Sequence, residues 1–199
     1  DVDYLREEAI QAVEQSIECV KQVANIVLAM KEFSHPVSKD MGLVDLNRVV
    51  ERSSVVCKSE WKQAACLELD LQADLPQITA QEGALNQVVL NLIVNAAHAV
   101  SAKDAEMGRI AIRTRLQDDH VRLVVEDNGT GISEDIRERI FEPFFTTKEV
   151  GRGTGQGLAI VHDIIVNKHS GTVNVASREG QGTTMTVTLP VVNEPAVAA

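Results

Sequence analysis

At 199 residues the chain has room for one domain of ordinary size and an appendage. Its 44% hydrophobic content supports a core that 3% aromatic content makes aliphatic, and its net charge of −10 sets the bulk surface against nucleic acid and anionic lipid. Three widely spaced cysteines, Cys19, Cys57 and Cys66, with no C-x-x-C pair, exclude a disulfide framework and a thiolate metal site and fit a reducing, cytoplasmic compartment.

Residues 3 to about 33 carry apolar side chains at Leu5, Ala9, Val13, Ile17, Val20, Ala24, Val27 and Met30, the spacing of a bundle or coiled-coil seam. Such a stripe needs a partner helix, so a dimer is expected through this segment. The opening "DVDYLREEAI" has no signal peptide and reads as the middle of a longer protein, in which a membrane anchor can lie outside this chain. No apolar run approaches the roughly 20 residues of a membrane span. "FSHPVSKDMG", with Pro36 and Gly42, marks a linker.

"VDLNRVVERSSVVCKSEW" predicts a second helix with Asp45 near its start, and "CLELDL" (66–71) alternates as a strand. A further helix is predicted over about 81–103. Strands at 109–116 and 121–127, joined by a polar turn at Gln117 to His120, make a hairpin. "SEDIRERIF" predicts a short helix with Ser133 as N-cap. A helix over about 155–169 and a closing hairpin, 171–177 with 182–190, complete the order. Helices interleaved with mostly antiparallel strands give an α+β layer of sheet under helices.

Two glycine-studded stretches carry the chemistry. In "VVEDNGTGI" a strand delivers Asp127 to its end, where Asn128-Gly129 turns the chain. This suits a plain hairpin turn. It also suits an acid held half-buried to accept a hydrogen bond from an exocyclic amine, with glycine letting a flat ring lie close. "GRGTGQGLAIVHDII" sets four glycines and a threonine at the start of an apolar helix, where free amides and the helix dipole favour phosphate. It is neither a Walker A loop nor G-x-G-x-x-G, since Gln156 stands where the third glycine belongs. On the 81–103 helix, Gln87, Asn91, Asn95 and His98 fall at steps of four, four and three and share one face. A single amide there reads as a solvated face. A row of them beside Val88, Val89, Leu92, Ile93 and Ala96 points to a ligand, because an amide oxygen suits Mg²⁺ that also holds phosphate.

"NQVVLNLIVNAAHAV", "DNGTGI", "FEPFFTTK" and "GRGTGQGL", in that order, resemble the asparagine, first glycine, phenylalanine and second glycine boxes of sensor histidine kinase ATP-binding domains. The wider family includes DNA gyrase B, the Hsp90 chaperones and the MutL mismatch-repair proteins. The match covers roughly residues 45 to 190. It implies a two-layer α/β sandwich of the Bergerat type, a mixed and mostly antiparallel sheet under three helices, preceded by one long bundle helix. It implies ATP and Mg²⁺ as ligands, with Asp127 on the adenine amino group and Asn95 on the metal. Asn91 supports the site, and Gly129, Gly131 and Ile132 shape the adenine pocket. Gly153, Thr154, Gly155, Gly157 and Leu158 wrap the phosphates. Residues 142–152 form an ATP lid, from which Thr147, Lys148 and Arg152 approach phosphate. His98 stands where the family often has a lysine, and is counted with the nucleotide-binding residues because a neutral imidazole can still donate one hydrogen bond to phosphate; Gln156 replaces a common leucine.

One position separates the branches of this family. The hydrolases carry a glutamate four residues before the magnesium asparagine, and here that position is Asn91, an amide with no usable basicity. The resemblance therefore implies a histidine kinase, whose phosphoryl transfer depends on positioning and charge neutralisation. Residues 1–35 read as the second helix of a dimerisation hairpin, 36–44 as linker, 45–191 as the ATP-binding catalytic domain and 192–199 as a tail. His35, followed by Pro36 and only nine residues before "VDLN", is not read as the phospho-acceptor, which is expected on a first helix absent from this chain. His120, His162 and His169 read as surface or helix-end histidines. The implied partners are ATP and a response regulator receiver domain, without nucleic acid and with a membrane reached only through missing N-terminal regions. The rival reading is a degenerate nucleotide-binding regulatory module; a hydrolysing ATPase is disfavoured by Asn91.

Overall fold

The computed structural model describes residues 40–103, 107–148 and 153–191. The N-terminal seam, His35, the first part of the linker, Arg152 and the tail at 192–199 lie outside the described residues.

Strand β1 (Gly42–Val44) leads into helix α1 (Leu46–Val56), whose start is set by Asp45. The Asp45 carboxylate accepts from the N–H groups of Asn47, 3.0 Å, and Arg48, 3.3 Å, the task of an N-cap. The helix expected to run through residue 61 ends instead at Val56. Cys57 takes a non-helical conformation, and Lys58–Trp61 forms a separate one-turn helix, α2. No glycine or proline marks this break, so the sequence carries no breaker to read.

Strands β2 (Ala65–Leu71) and β3 (Ile78–Ala80) precede the long helix α3 (Glu82–Ser101). The hairpin β4 (Gly108–Gln117) and β5 (His120–Asp127) follows, and β6 (Thr172–Arg178) with β7 (Gly182–Pro190) closes the domain. Five strands form one sheet in the order β2-β4-β5-β7-β6, parallel only between β2 and β4. β1 and β3 pair separately, so Gly42–Val44, expected within the linker, is structured as part of this domain.

Between the two hairpins, Glu134–Ile136 and Arg139–Phe141 form two 3₁₀ turns in place of the single capped helix expected. Ser133 stands at the N-cap position, yet its hydroxyl caps nothing. Arg137 reaches out to donate to the Ser177 carbonyl, 3.0 Å, so the segment spreads across the closing hairpin rather than coiling on itself. Helix α4 (Gly157–His162) continues through Asp163–Lys168 as a π-helix.

One face of the sheet and the helices above it make the core. β5 alternates strictly, burying Val121, Leu123 and Val125, and the same two-residue period turns Asp127 inward. α3 lies centrally, touching α1 and α4 on its flanks and β2, β4, β5 and β7 beneath. By length and composition it could cross a membrane, but Leu85, Val89, Ile93 and Ala97 are packed in this core instead. The open face of the sheet carries cross-strand ion pairs, Arg109 with Glu68, Arg113 with Glu126 and Arg115 with Asp70.

Of the two readings open for His169, surface or helix end, the structure gives the helix end. It ends the π-helix but is buried, accepting at Nε2 from the Gln81 N–H, 3.0 Å, and donating from Nδ1 to the Ile164 carbonyl, 2.8 Å. It fastens the end of the π-helix to the start of α3. His162 packs its ring on Phe141, 5.5 Å between centroids.

Gly129 tests the packing of this arrangement. A Cβ there would lie 2.4 Å from the Ala99 carbonyl carbon, backbone that cannot rotate away, whereas at Gly42 it would meet nothing within 4 Å. Gly129→Ala is expected to cost about 2–3 kcal/mol or more in denaturant unfolding, with Gly42→Ala within about 0.5 kcal/mol of the parent. Equal stability of the two variants would contradict this packing.

Candidate functional site

The site is assembled where both glycine turns meet α3. The Asp127 side chain ends β5 at 9% exposure, and its Oδ1 accepts from the Gly129 N–H, 2.9 Å. The turn is fastened to α3 by Thr130 N–H donating to the Ala99 carbonyl, 3.1 Å, and to the closing hairpin by Gly180 N–H donating to the Thr130 carbonyl, 2.7 Å. Asn128 is used structurally: its Oδ1 accepts from the Arg109 N–H, 2.7 Å.

The glycines of this turn are explained by the protein itself. Gly129 abuts the α3 backbone, and Gly131, at φ +70°, lies where a Cβ would come 2.1 Å from the Arg178 carbonyl oxygen. Gly182, at φ +110°, would likewise drive a Cβ to 2.0 Å from the Asp127 carbonyl oxygen. Ile132 is half-buried and donates its N–H to Ser177 Oγ, 2.8 Å.

The second turn meets the middle of α3. Asn91 Nδ2 donates to the Gly157 carbonyl, 3.3 Å, and a Cβ on Gly157 would come 3.4 Å from Asn95 Nδ2. Asn91, Asn95 and His98 are all half-buried on one face of α3, as their spacing predicted. Gly155 holds φ +64° against the backbone of Phe144, itself at φ +66°. Thr154 is exposed, and its Oγ1 accepts weakly from the Gln156 N–H, 3.4 Å; Leu158 packs on the core. No hydrogen bond joins the Asn95 side chain to another described residue.

Lys148 reaches the same helix face. Its ammonium lies 2.7 Å from His98 Nδ1, so that nitrogen accepts and the imidazole proton sits on Nε2. Burial lowers the pKa of His98, Lys148 adds to the lowering, and Glu60 opposes it. Although Lys148 is exposed as a residue, burial of its ammonium end lowers its pKa too. Thr147 is exposed; the engaged hydroxyl is that of Thr146, which accepts from the Lys148 N–H, 3.2 Å. Thr146, Ala99 and Ser177 are contributors that sequence reasoning missed, since small hydroxyls and backbone contacts carry no pattern.

Chemically, the arrangement presents a buried carboxylate at one end of α3, amides in the middle, and glycine-turn N–H groups with a lysine nearby. Among the described residues no group of three or more His, Cys, Asp or Glu side chains gathers to hold a metal. The Asn95 amide oxygen is a hard donor of the kind that could hold a divalent cation.

The family described as histidine kinase-, DNA gyrase B- and HSP90-like ATPase matches residues 80–193. The chain is 37% identical over 191 residues to the signal transduction histidine-protein kinase AtoS of Escherichia coli K12, covering 95% of this chain and 30% of that protein. It is 36% identical over 185 residues to the sensor histidine kinase ZraS of the same strain, covering 92% and 38%. The chain thus spans about a third of the length of these curated relatives. Among solved structures, a mycobacterial sensor histidine kinase, MprB, superposes with a TM-score of 0.64 at 29% identity, covering 75% of this chain and 97% of that one. Full-length ShkA in complex with AMPPNP gives 0.71 at 26% identity, covering 96% and 40%. The histidine kinase ThkA in complex with the response regulator TrrA gives 0.68 at 25%, covering 87% and 48%.

The buried carboxylate has a measurable consequence. Burial raises the Asp127 pKa from 3.8 against the opposing hydrogen bonds from the Gly129 and Thr183 N–H groups. With the folded pKa raised, the group's contribution to stability is complete below its unfolded pKa and is lost as pH rises through the folded one. At neutral pH the ionised carboxylate therefore weighs against the empty fold. Asp127→Asn keeps an oxygen for Gly129 without the charge, so its melting temperature should exceed the parent's at about pH 7, with the gap closing towards about pH 4. A variant that melts lower at neutral pH would contradict this account.

Proposed function

Because this chain belongs to the family of histidine kinase-, DNA gyrase B- and HSP90-like ATPases, with a domain of the sensor histidine kinase type, we propose that it binds Mg²⁺·ATP between α3 and the two glycine turns. The γ-phosphoryl group then passes to a histidine on a dimerisation helix outside this chain, and onward to an aspartate of a response regulator. The observation that carries this reading is the Asn91 side chain, an amide tied to Gly157 rather than a carboxylate aimed at water.

In this reading Asp127 accepts a hydrogen bond from the adenine amino group, and its burial gives that bond its selectivity. Asn95 contributes an amide oxygen to Mg²⁺, which when bound neutralises charge along the phosphates. The N–H groups from Gly153 to Leu158 and Lys148 receive phosphate oxygens, with Arg152 assigned the same duty from sequence. Position 91 offers an amide in place of a carboxylate base for water, so the barrier is lowered by alignment of an incoming imidazole with the γ-phosphate. The presence of AMPPNP on ShkA and of TrrA on ThkA supports a nucleotide and a response regulator as ligands here. Dimerisation through residues 1–35 and a cytoplasmic site of action belong to the same proposal.

The test is incubation with γ-labelled ATP and a separate two-helix hairpin carrying the acceptor histidine. Acid-labile label on the hairpin is expected, lost in Asn95→Ala, with Asp127→Asn weakening ATP binding by roughly 1–3 kcal/mol. Rapid release of free phosphate would instead assign the chain to the hydrolases. Tight ATP binding with neither outcome would leave a nucleotide-binding regulatory module.

A further inference from the structure

His98 and Lys148 come from segments fifty residues apart, and their meeting serves no purpose in the core. His98 lies three residues beyond Asn95 on the same half-buried face of α3. Lys148 approaches from the segment before the second glycine turn. Its backbone N–H is held by Thr146 Oγ1, 3.2 Å, and its stem runs beside Gly153, whose Cβ would fall 3.1 Å from Lys148 Cδ and 3.4 Å from its Cβ. Backbone, stem and ammonium thus each have a contact, and the ammonium meets the α3 face at His98.

We propose that His98 is a positioning residue that holds the Lys148 ammonium for the phosphate chain of the bound nucleotide, so that the cation facing α3 is supplied by the lid segment and not by the helix. The proposal rests on the nucleotide site read above. A neutral imidazole brings no charge of its own, and its Nδ1 lone pair occupies one of the three ammonium donors. Two donors remain for phosphate oxygens. Holding a long, flexible side chain in advance lowers the ordering cost of binding. The burial that keeps His98 neutral maintains the lone pair this role requires.

The two residues are tested by a cycle of variants, with Mg²⁺·ATP and adenosine as probes. Lys148→Ala should weaken ATP binding roughly ten- to a hundredfold and leave adenosine binding unchanged. His98→Ala should weaken ATP binding several-fold in the parent and have no effect once Lys148 is alanine. His98→Gln, which keeps an acceptor, should recover most of the loss, and His98→Lys should restore ATP affinity in the Lys148→Ala background. Losses that add in the double variant, or that fall equally on adenosine, would overturn the pairing. Unchanged ATP affinity in Lys148→Ala beside a weakened Asp127→Asn would sink this inference while sparing the nucleotide site. A parent chain that binds neither probe would remove both.

Discussion

A methyl group at Gly129 would stand 2.4 Å from the backbone of Ala99, and much of this domain follows from that closeness. The last turns of α3 and the end of β5 touch backbone to backbone, an approach open only to glycine. The contact leaves Thr130 N–H within reach of the Ala99 carbonyl and sets Asp127 at the rim of the helix. Gly182 presses on the Asp127 carbonyl from the other side. A carboxylate that the strand's alternation would otherwise bury in aliphatic core is thus carried to its boundary.

The second turn is coupled to the same helix by different means. Asn91 bonds the first residue of α4, and Gly157 lies close to Asn95, so the start of α4 is held against the polar face of α3. α3 acts as a common ruler: carboxylate near its C-terminal end, amides in the middle, lysine and glycine turn alongside. The net charge of −10 does not oppose an anionic ligand here. That charge is a property of the whole surface, screened over roughly 10 Å, whereas Lys148 and the N–H groups of the glycine turns set the local field beside this helix.

Much of this was legible in the residues, and the failures are instructive. Two-residue alternation placed β4 and β5, and the four-residue rhythm of Asn91, Asn95 and His98 placed them on one face of α3. The glycines announced close approach, and Gly129, Gly131, Gly155 and Gly182 each lie against the backbone of another part of the chain, a partner that local sequence does not encode. The break at Cys57 is accompanied by Trp61 Nε1 donating back to the Ser54 carbonyl, and the 3₁₀ turns by Arg137 donating to the Ser177 carbonyl, bonds that helical propensity does not show. β1 and β3, three residues each, are too short to show a period. The burial of His169 at its helix end is not legible locally, because nothing beside it reveals a partner at Gln81, far away in the chain.

The central claim, that one face of α3 and two glycine turns form a single nucleotide site, is tested most directly by titrating ¹⁵N-labelled chain with Mg²⁺·ATP and following backbone amide shifts. The account predicts large changes at Asp127 to Ile132, Asn91 to His98 and Gly153 to Leu158, saturating together with one affinity. The amides of Glu68, Asp70, Arg113 and Arg115, on the open face of the sheet, should stay still. Saturation of the two turns at different concentrations, or shifts concentrated on the open face, would contradict it.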